Sequence, residues 1–430
     1  MKRRSAGGNF AWTLSAGLIY ALAQWGVLVA CARLGTMEQL GEFSLGLAIT
    51  APVMLLARMN LRTLQATDAR SSHGFEHYLG LMVLNVLGGV VLCCAIALVG
   101  YSARATLVIV LLALAKGFEA LSEVFYGALQ KSERLVLVAR SIIAKSVLSV
   151  ALVVLALRTT GSTVAAAAAL ALAWALVLVL FDTPAYWRES GGVRPWGQLW
   201  RMRWREEGVR LKSLWGLAYA LGITALLGSL RPNVPRYLLE AHFGQAELGM
   251  YAALAYFTAL GGRVVHALGQ VVSPRLGRYH AAGEQRRFGR TLVGFTGGAA
   301  LVGVCAIAGA VLFGRWALTL FYGPAYASNL TLFVWLMVAA AMEYVCVSLQ
   351  IGLTAARELK SQAVMLAVSV GVVGLGSAWW VPSLGPVGAA WALALGWLVE
   401  LSVSAWLTLR AWRRLGMEGT RVAPAADVAP

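Results

Sequence analysis

Apolar runs of about 20 residues, the length needed to cross a hydrocarbon layer of roughly 30 Å, recur along the whole chain between short polar intervals. Twelve are read: 10–32, 41–57, 78–99, 105–129, 135–157 and 163–181, then 214–230, 249–272, 291–313, 329–353, 363–381 and 386–409. No segment alternates as a strand does. The pattern predicts an all-α integral membrane protein with twelve transmembrane helices.

The pattern also repeats. Val164 to Trp174 reads VAAAAALALAW and Val387 to Trp397 reads VGAAWALALGW, with eight of eleven positions identical. Alanine and leucine are common here, so support must come from other landmarks. Gly127 and Glu133 answer Gly352 and Glu358, and Gly35, Leu40, Gly41 and Phe43 answer Gly244, Leu248, Gly249 and Tyr251. Ordered matches at separations of roughly 210 to 225 residues indicate a repeat of half the chain. Six spans is an even number, so both halves enter from the same side as parallel lobes. The expected organisation is an N-terminal six-helix lobe (1–182), a cytoplasmic basic linker (183–213), a C-terminal six-helix lobe (214–412) and a cytoplasmic tail (413–430).

Composition excludes a water-soluble globule: 59% of residues are hydrophobic, 13% are charged and mean hydropathy is +0.72. The net charge of +17 raises the question of nucleic acid. However, the basic residues are spread over short segments and no nucleic-acid-binding module is recognisable. Topology and anionic lipid explain them better. With Lys2, Arg3 and Arg4 inside, cytoplasmic segments hold about 27 basic residues and external loops about six, which places both termini in the cytoplasm. Leu28 to Cys31 looks like a lipoprotein cleavage box, but the surrounding apolar run is too long for a signal core. The five cysteines lie in apolar spans without C-x-x-C spacing and read as packing residues. In the linker, Trp196, Trp200 and Trp204 recur every fourth residue beside arginines, predicting an interfacial helix on the cytoplasmic leaflet.

His73 to His77 fits the inverted zinc-protease pattern H-x-x-E-H, yet it sits in a short connection with no evident further ligand, and a solvated loop is the better reading. Phosphate-loop and nucleophile-elbow signatures are missing from any supporting context. No catalytic residue, metal or cofactor is expected, and the chain reads as a non-enzyme.

Ionisable groups inside apolar spans are costly and therefore candidates for function. Lys116, Glu119 and Glu123 fall at steps of three and four, on one helix face. Lys145, Arg263, His266, Glu343 and Glu400 are isolated cases, divided between cavity lining and structural pairing. For Arg58 and Lys145, snorkelling to headgroups is the competing reading. The seventh span ends in RPNVPR, Arg231 to Arg236, where Pro232 and Pro235 are expected to interrupt the helix beside two arginines suited to phosphate oxygens.

Several of these strings carry a family resemblance: LGTMEQLGEFSLGLAITAPV (34–53), NLRTLQATDA (60–69), YGALQKSERL (126–135), RPNVPRYLLEAHFGQAELGMYAAL (231–254) and FYGPAYA (321–327). Over almost its whole length the chain resembles oligosaccharide flippases of the polysaccharide transporter family, in the MOP superfamily with multidrug extruders and peptidoglycan lipid flippases. The resemblance implies two six-helix lobes around a central cleft that opens alternately to either side. It implies a polyprenyl-diphosphate-linked oligosaccharide as substrate, carried to the external leaflet of a bacterial cytoplasmic membrane for surface polysaccharide biosynthesis. Neighbouring polysaccharide polymerases and glycosyltransferases are its expected associates.

Arg62, Asp68, Asn233 and Arg236 lie in the matching strings, and Glu133, Arg134 and Lys145 lie in or just after another. The chain departs from the family near Met82, where a basic residue is expected. The substrate-binding candidates are Arg58, Arg62, Lys116, Lys145, Asn233, Arg236 and Arg263. Glu119, Glu123 and Glu343 are candidates for coupling to a proton or sodium ion. The rival readings are a drug or organic-cation antiporter of the same superfamily and, in another class, a membrane glycosyltransferase or polymerase.

Overall fold

The computed structural model describes residues 6–68, 72–192, 194–201 and 206–421; Lys2, Arg3, Arg4, Arg203, Trp204, Arg205 and residues 422–430 lie outside them. Every regular element among the described residues is helical. In chain order they are α1 (Ala6–Leu34), α2 (Met37–Arg58), α3 (Leu61–Thr67), α4 (Phe75–Gly100), α5 (Ala103–Lys131), α6 (Leu135–Thr160), α7 (Thr163–Val177), a π turn (Leu178–Asp182), α8 (Thr183–Glu189), α9 (Pro195–Arg201), α10 (Gly208–Ala281), α11 (Gln285–Phe321), α12 (Pro324–Ala327), α13 (Leu330–Ala355) and α14 (Leu359–Arg421).

Ten helices among the described residues are long and apolar enough to cross a membrane, against the twelve spans expected. The difference arises because α10 and α14 each take in two expected spans. At about 1.5 Å per residue, the 74 residues of α10 would make a straight rod of about 111 Å, far beyond a bilayer core. Both helices leave helical geometry at one glycine: Gly244 (φ 79°) in α10 and Gly385 (φ 57°) in α14. Positive φ is where glycine pays no steric penalty.

Around Gly385 the chain folds back on itself. Gly388 sits against the Trp380 carbonyl, Gly376 against Ala392, and the Ser369 hydroxyl donates to the Gly396 carbonyl at 3.2 Å. Pro232 and Pro235 do not break α10 as expected: only Gly244 leaves helical geometry. The Asn233 side-chain amide donates to the Ser229 carbonyl at 2.8 Å, and membrane helices tolerate proline where neighbouring groups and local adjustment take up the freed carbonyls.

The residues form two compact units, Met1–Ala253 and Leu254–Pro430. Residues 208–253 belong to the first unit because they pack along α2, with Gly222 against Leu56 and Met59, and the Tyr237 hydroxyl on the Ala48 carbonyl at 2.5 Å. Within the first unit, Leu79, Met82, Val124, Phe125 and Leu214 share one core. A reciprocal capping box starts α2: the Gln39 amide bonds the Thr36 hydroxyl at 3.2 Å, and the Thr36 amide bonds the Gln39 side chain at 2.9 Å. Within the second unit, Val265, Phe295, Ala299 and Tyr344 form a core, and Gly303 admits Ala341 of α13 against α11.

The repeat recurs as local geometry. Glu133 after α5 and Arg357 after α13 are both left-handed. Each turn closes with a bond to the residue five earlier, Arg134 N to Leu129 O at 2.8 Å and Glu358 N to Leu353 O at 3.0 Å, the Schellman pattern. Large exposed apolar side chains such as Leu87, Val91 and Val99 on α4 and Val293, Leu301 and Leu312 on α11 suit a hydrocarbon solvent.

Candidate functional site

The charged residues of the first unit converge where α2, α3, α5, α6 and the π turn meet. Arg58 ends α2, and two successive left-handed residues, Met59 and Asn60, turn the chain into α3 so that Arg62 follows close behind. From α5, Glu119 presents one carboxylate to two cations. Its Oε2 is ion-paired with Arg58 Nη2 and lies 3.1 Å from Lys116 Nζ, while Tyr20 donates to Oε1 at 2.5 Å. These side chains are only 10% to 19% exposed. Lys116 also lies 4.7 Å from the Trp174 ring centroid, a cation–π distance. One turn on, Glu123 pairs with Arg62 at 3.0 Å, and Arg62 also reaches Gln130 at 3.2 Å.

Lys145 does not snorkel; it is 2% exposed. Its ammonium donates to Ser122 Oγ at 2.7 Å and to the Tyr126 hydroxyl at 3.2 Å, and lies 3.9 Å from Asp182 Oδ2. Ser141 bridges the group, bonded to Tyr126 at 2.8 Å and donating to Asp182 Oδ1. Asp182 Oδ2 accepts no hydrogen bond among the described residues. Tyr126 lies between two cations, Arg62 at 5.4 Å and Lys145 at 5.3 Å from its ring centroid. The cluster sets four cations (Arg58, Arg62, Lys116, Lys145) against three carboxylates (Glu119, Glu123, Asp182). Its surplus is positive, so chemically it offers donors and charge to an anion.

The other sequence candidates lie elsewhere. Asn233 is buried in α10 of the first unit and accepts from Arg236 Nη1 at 3.2 Å. Arg263 is exposed and Glu343 half-buried, both in the second unit. In that unit the buried Glu400 accepts from Gln350 Nε2 at 2.5 Å. Tyr20, Ser122, Tyr126, Ser141 and Asp182 are additional members of the cluster. Asp182 had an available signal, as the first acid after the sixth apolar run.

At one end of the unit, Ser72 and His73 donate backbone N–H to Asp68 at 3.1 and 3.3 Å. Partial desolvation works against ionisation, but these donors prevail and hold the carboxyl below its usual range. Among the described residues no group of three or more His, Cys, Asp or Glu side chains is placed to hold a metal ion, and His77 is engaged in hydrogen bonds. Its Nδ1 accepts from the Gly74 amide at 3.0 Å and its Nε2 lies 2.9 Å from Glu207. The bond from His77 holds the Glu207 carboxyl below its usual range. The expected tryptophan stripe is split. Trp196 is partly buried, 6.2 Å from Phe125, whereas Trp200 is 88% exposed and Trp204 lies outside the described residues.

No protein-family model matches the chain. It is 25% identical over 321 residues, 75% of its own length and 78% of the other's, to the capsular polysaccharide biosynthesis protein CapF of Staphylococcus aureus. Its structure is similar to an inward-facing multidrug resistance MATE family transporter of the MOP superfamily, with a TM-score of 0.75 at 15% identity, over 96% of this chain and 100% of that one. It is also similar to the lipid II flippase MurJ in an inward closed conformation, with a TM-score of 0.71 at 10% identity, over 95% and 90%. The chain is a multi-pass membrane protein with the fold of the MOP-superfamily transporters, and its sequence is similar to that of a capsular polysaccharide biosynthesis protein.

Proposed function

We propose that the chain is a flippase that moves polyprenyl-diphosphate-linked oligosaccharide from the cytoplasmic to the external leaflet by alternating access. The observation that carries this reading is the surplus of positive charge, on buried and half-buried side chains, around Glu119 and Tyr126. Charge inside a membrane lobe is costly unless a partner offsets it, and a diphosphate offers the complementary charge and bidentate oxygens. The similarity to CapF and the fold shared with MurJ support the same class of cargo.

In this reading α10 and α14 each cross twice, reversing at Gly244 and Gly385, which makes twelve crossings in two six-helix lobes with both termini cytoplasmic. Arg58, Arg62, Lys116 and Lys145 form the cationic part of the site, and Asn233, Arg236 and Arg263 are further substrate-binding candidates. Glu119 and Glu123 pair with Arg58, Lys116 and Arg62 and hold them in place, and Glu119, Glu123 and Glu343 are the candidates for coupling to a proton or sodium ion.

The test is reconstitution in proteoliposomes with a fluorescent undecaprenyl-diphosphate sugar and a quencher confined to one side. Protein-dependent exchange between leaflets is expected, and its absence would sink the proposal. Uptake of an organic cation in the same vesicles, with no lipid movement, would establish the antiporter instead.

A further inference from the structure

The sequence repeat sets Leu40, Gly41 and Phe43 against Leu248, Gly249 and Tyr251, each pair 208 residues apart. The same separation relates Met37 to Gln245. In the first unit these counterparts meet one another. A Cβ on Gly41 would lie 1.7 Å from the Gln245 carbonyl oxygen, and one on Gly249 would lie 2.2 Å from the Met37 carbonyl oxygen and 2.8 Å from the Gly41 nitrogen. Gly41 therefore touches Gln245 while the counterpart of Gly41 touches the counterpart of Gln245. Such reciprocity is an isologous contact, the mark of a two-fold axis, and the direct approach of Gly41 to Gly249 puts that axis between them. The flanking residues are equally buried: Leu40 and Leu248 at 0%, Phe43 at 0% and Tyr251 at 1% exposed.

An axis relating parallel repeats runs along the membrane normal. If a hydrated headgroup crosses between the repeats, its route follows this axis. A backbone-to-backbone contact on the axis leaves no room for water or for a headgroup. We propose that the Gly41–Gly249 crossing is the seal of the translocation pathway at the end where α2 begins, and that it parts when the protein changes state. The inference rests on the parallel-repeat reading above, in which this end is external. Glycine is required at both places because any side chain would have to displace main-chain atoms, which cannot yield as the tip of a flexible side chain can.

The test places a reporter behind the seal. Ser44 is 2% exposed and its hydroxyl lacks a hydrogen-bond partner among the described residues, so Ser44→Cys in a cysteine-depleted chain is a mild change. A membrane-impermeant maleimide added outside is expected to label it slowly. Gly41→Ala and Gly249→Ala are each expected to raise the labelling rate at least about tenfold, with similar effects because they disrupt one contact. Gly88→Ala, whose Cβ would meet nothing within 4 Å, is expected to leave it unchanged. An unchanged rate in both seam variants, or a response in only one, overturns the two-fold seal.

If those variants fail to fold, Met37→Cys combined with Gln245→Cys, joined by a short reducible thiol cross-linker, addresses the same point. Translocation of the fluorescent lipid-linked sugar is expected to stop on cross-linking and return on reduction, and undiminished translocation overturns the proposal. Labelling needs no cargo, so the seal can be judged even if the cargo is misassigned.

Discussion

Lys145 Nζ and Asp182 Oδ2 lie 3.9 Å apart with side chains 3% and 0% exposed, so each supplies the other's counter-charge in a place water does not reach. Removing one partner of such a pair strands the other, at a cost of about 3 to 5 kcal/mol, whereas removing both can be nearly neutral. Asp182→Asn and Lys145→Met are each expected to lower thermal stability in detergent strongly, and the double variant to recover most of the loss. Additive losses in that cycle would show that the pair is not coupled.

Lys116 touches both Glu119 and the Trp174 ring. Lys116→Met is expected to reduce lipid flipping by about tenfold or more, equivalent to about 1.4 kcal/mol, while Lys116→Arg keeps part of the rate. The melting temperature of each variant, measured alongside, separates lost binding from lost folding.

Two glycines of α14 make a contrasting pair. A Cβ on Gly388 would lie 2.3 Å from the Trp380 carbonyl oxygen, whereas one on Gly371 would meet nothing within 4 Å. Gly388→Ala is therefore expected to destabilise by about 1 to 3 kcal/mol, the usual cost of overpacking. Gly371→Ala is expected to leave the melting temperature unchanged or slightly raised.

The hydrogen bonds from Ser72 and His73 to Asp68 are expected to be acid-sensitive. Because the folded carboxyl of Asp68 is held below its usual range, its contribution is present above the unfolded value, about 3.9, and is lost as pH falls through the folded value. Backbone hydrogen exchange at Ser72 and His73, referenced to an unstructured peptide at the same pH, is expected to lose protection at that acid end. In Asp68→Ala the protection is expected to be low at every pH.

How much of this was legible in the sequence depends on how far apart the partners lie. Lys116 and Glu119 were visible as one face because a helix turn separates them, and the structure pairs them. Their third and fourth partners were not, since Arg58 and Tyr20 reach Glu119 only through tertiary packing, Tyr20 from 99 residues away. Gly244 and Gly385, where helical geometry is lost, fall in the intervals between apolar runs, so hydropathy brackets both breaks. The proline rule misread residues 231–236, where the helix runs on through both prolines despite two lost backbone donors. Hydropathy did not mark Asp182 as a partner of Lys145, since the apolar run ends at residue 181 whichever way the next side chain points.

The π turn at Leu178–Asp182 has a consequence for how this chain can vary. A π turn holds one residue more than an α-helix needs and takes it up locally, so the helix beyond it keeps its angular phase. Deleting a single leucine there would let the turn close as α-helix with Asp182 still facing Ser141 and Lys145. Adding a residue to α7 has no such reserve: it would swing Asp182 by about 100° around the helix axis, away from Ser141 and Lys145, and carry Tyr186 off its stack on Phe75. In this segment the charged cluster therefore tolerates a shorter chain but not a longer one.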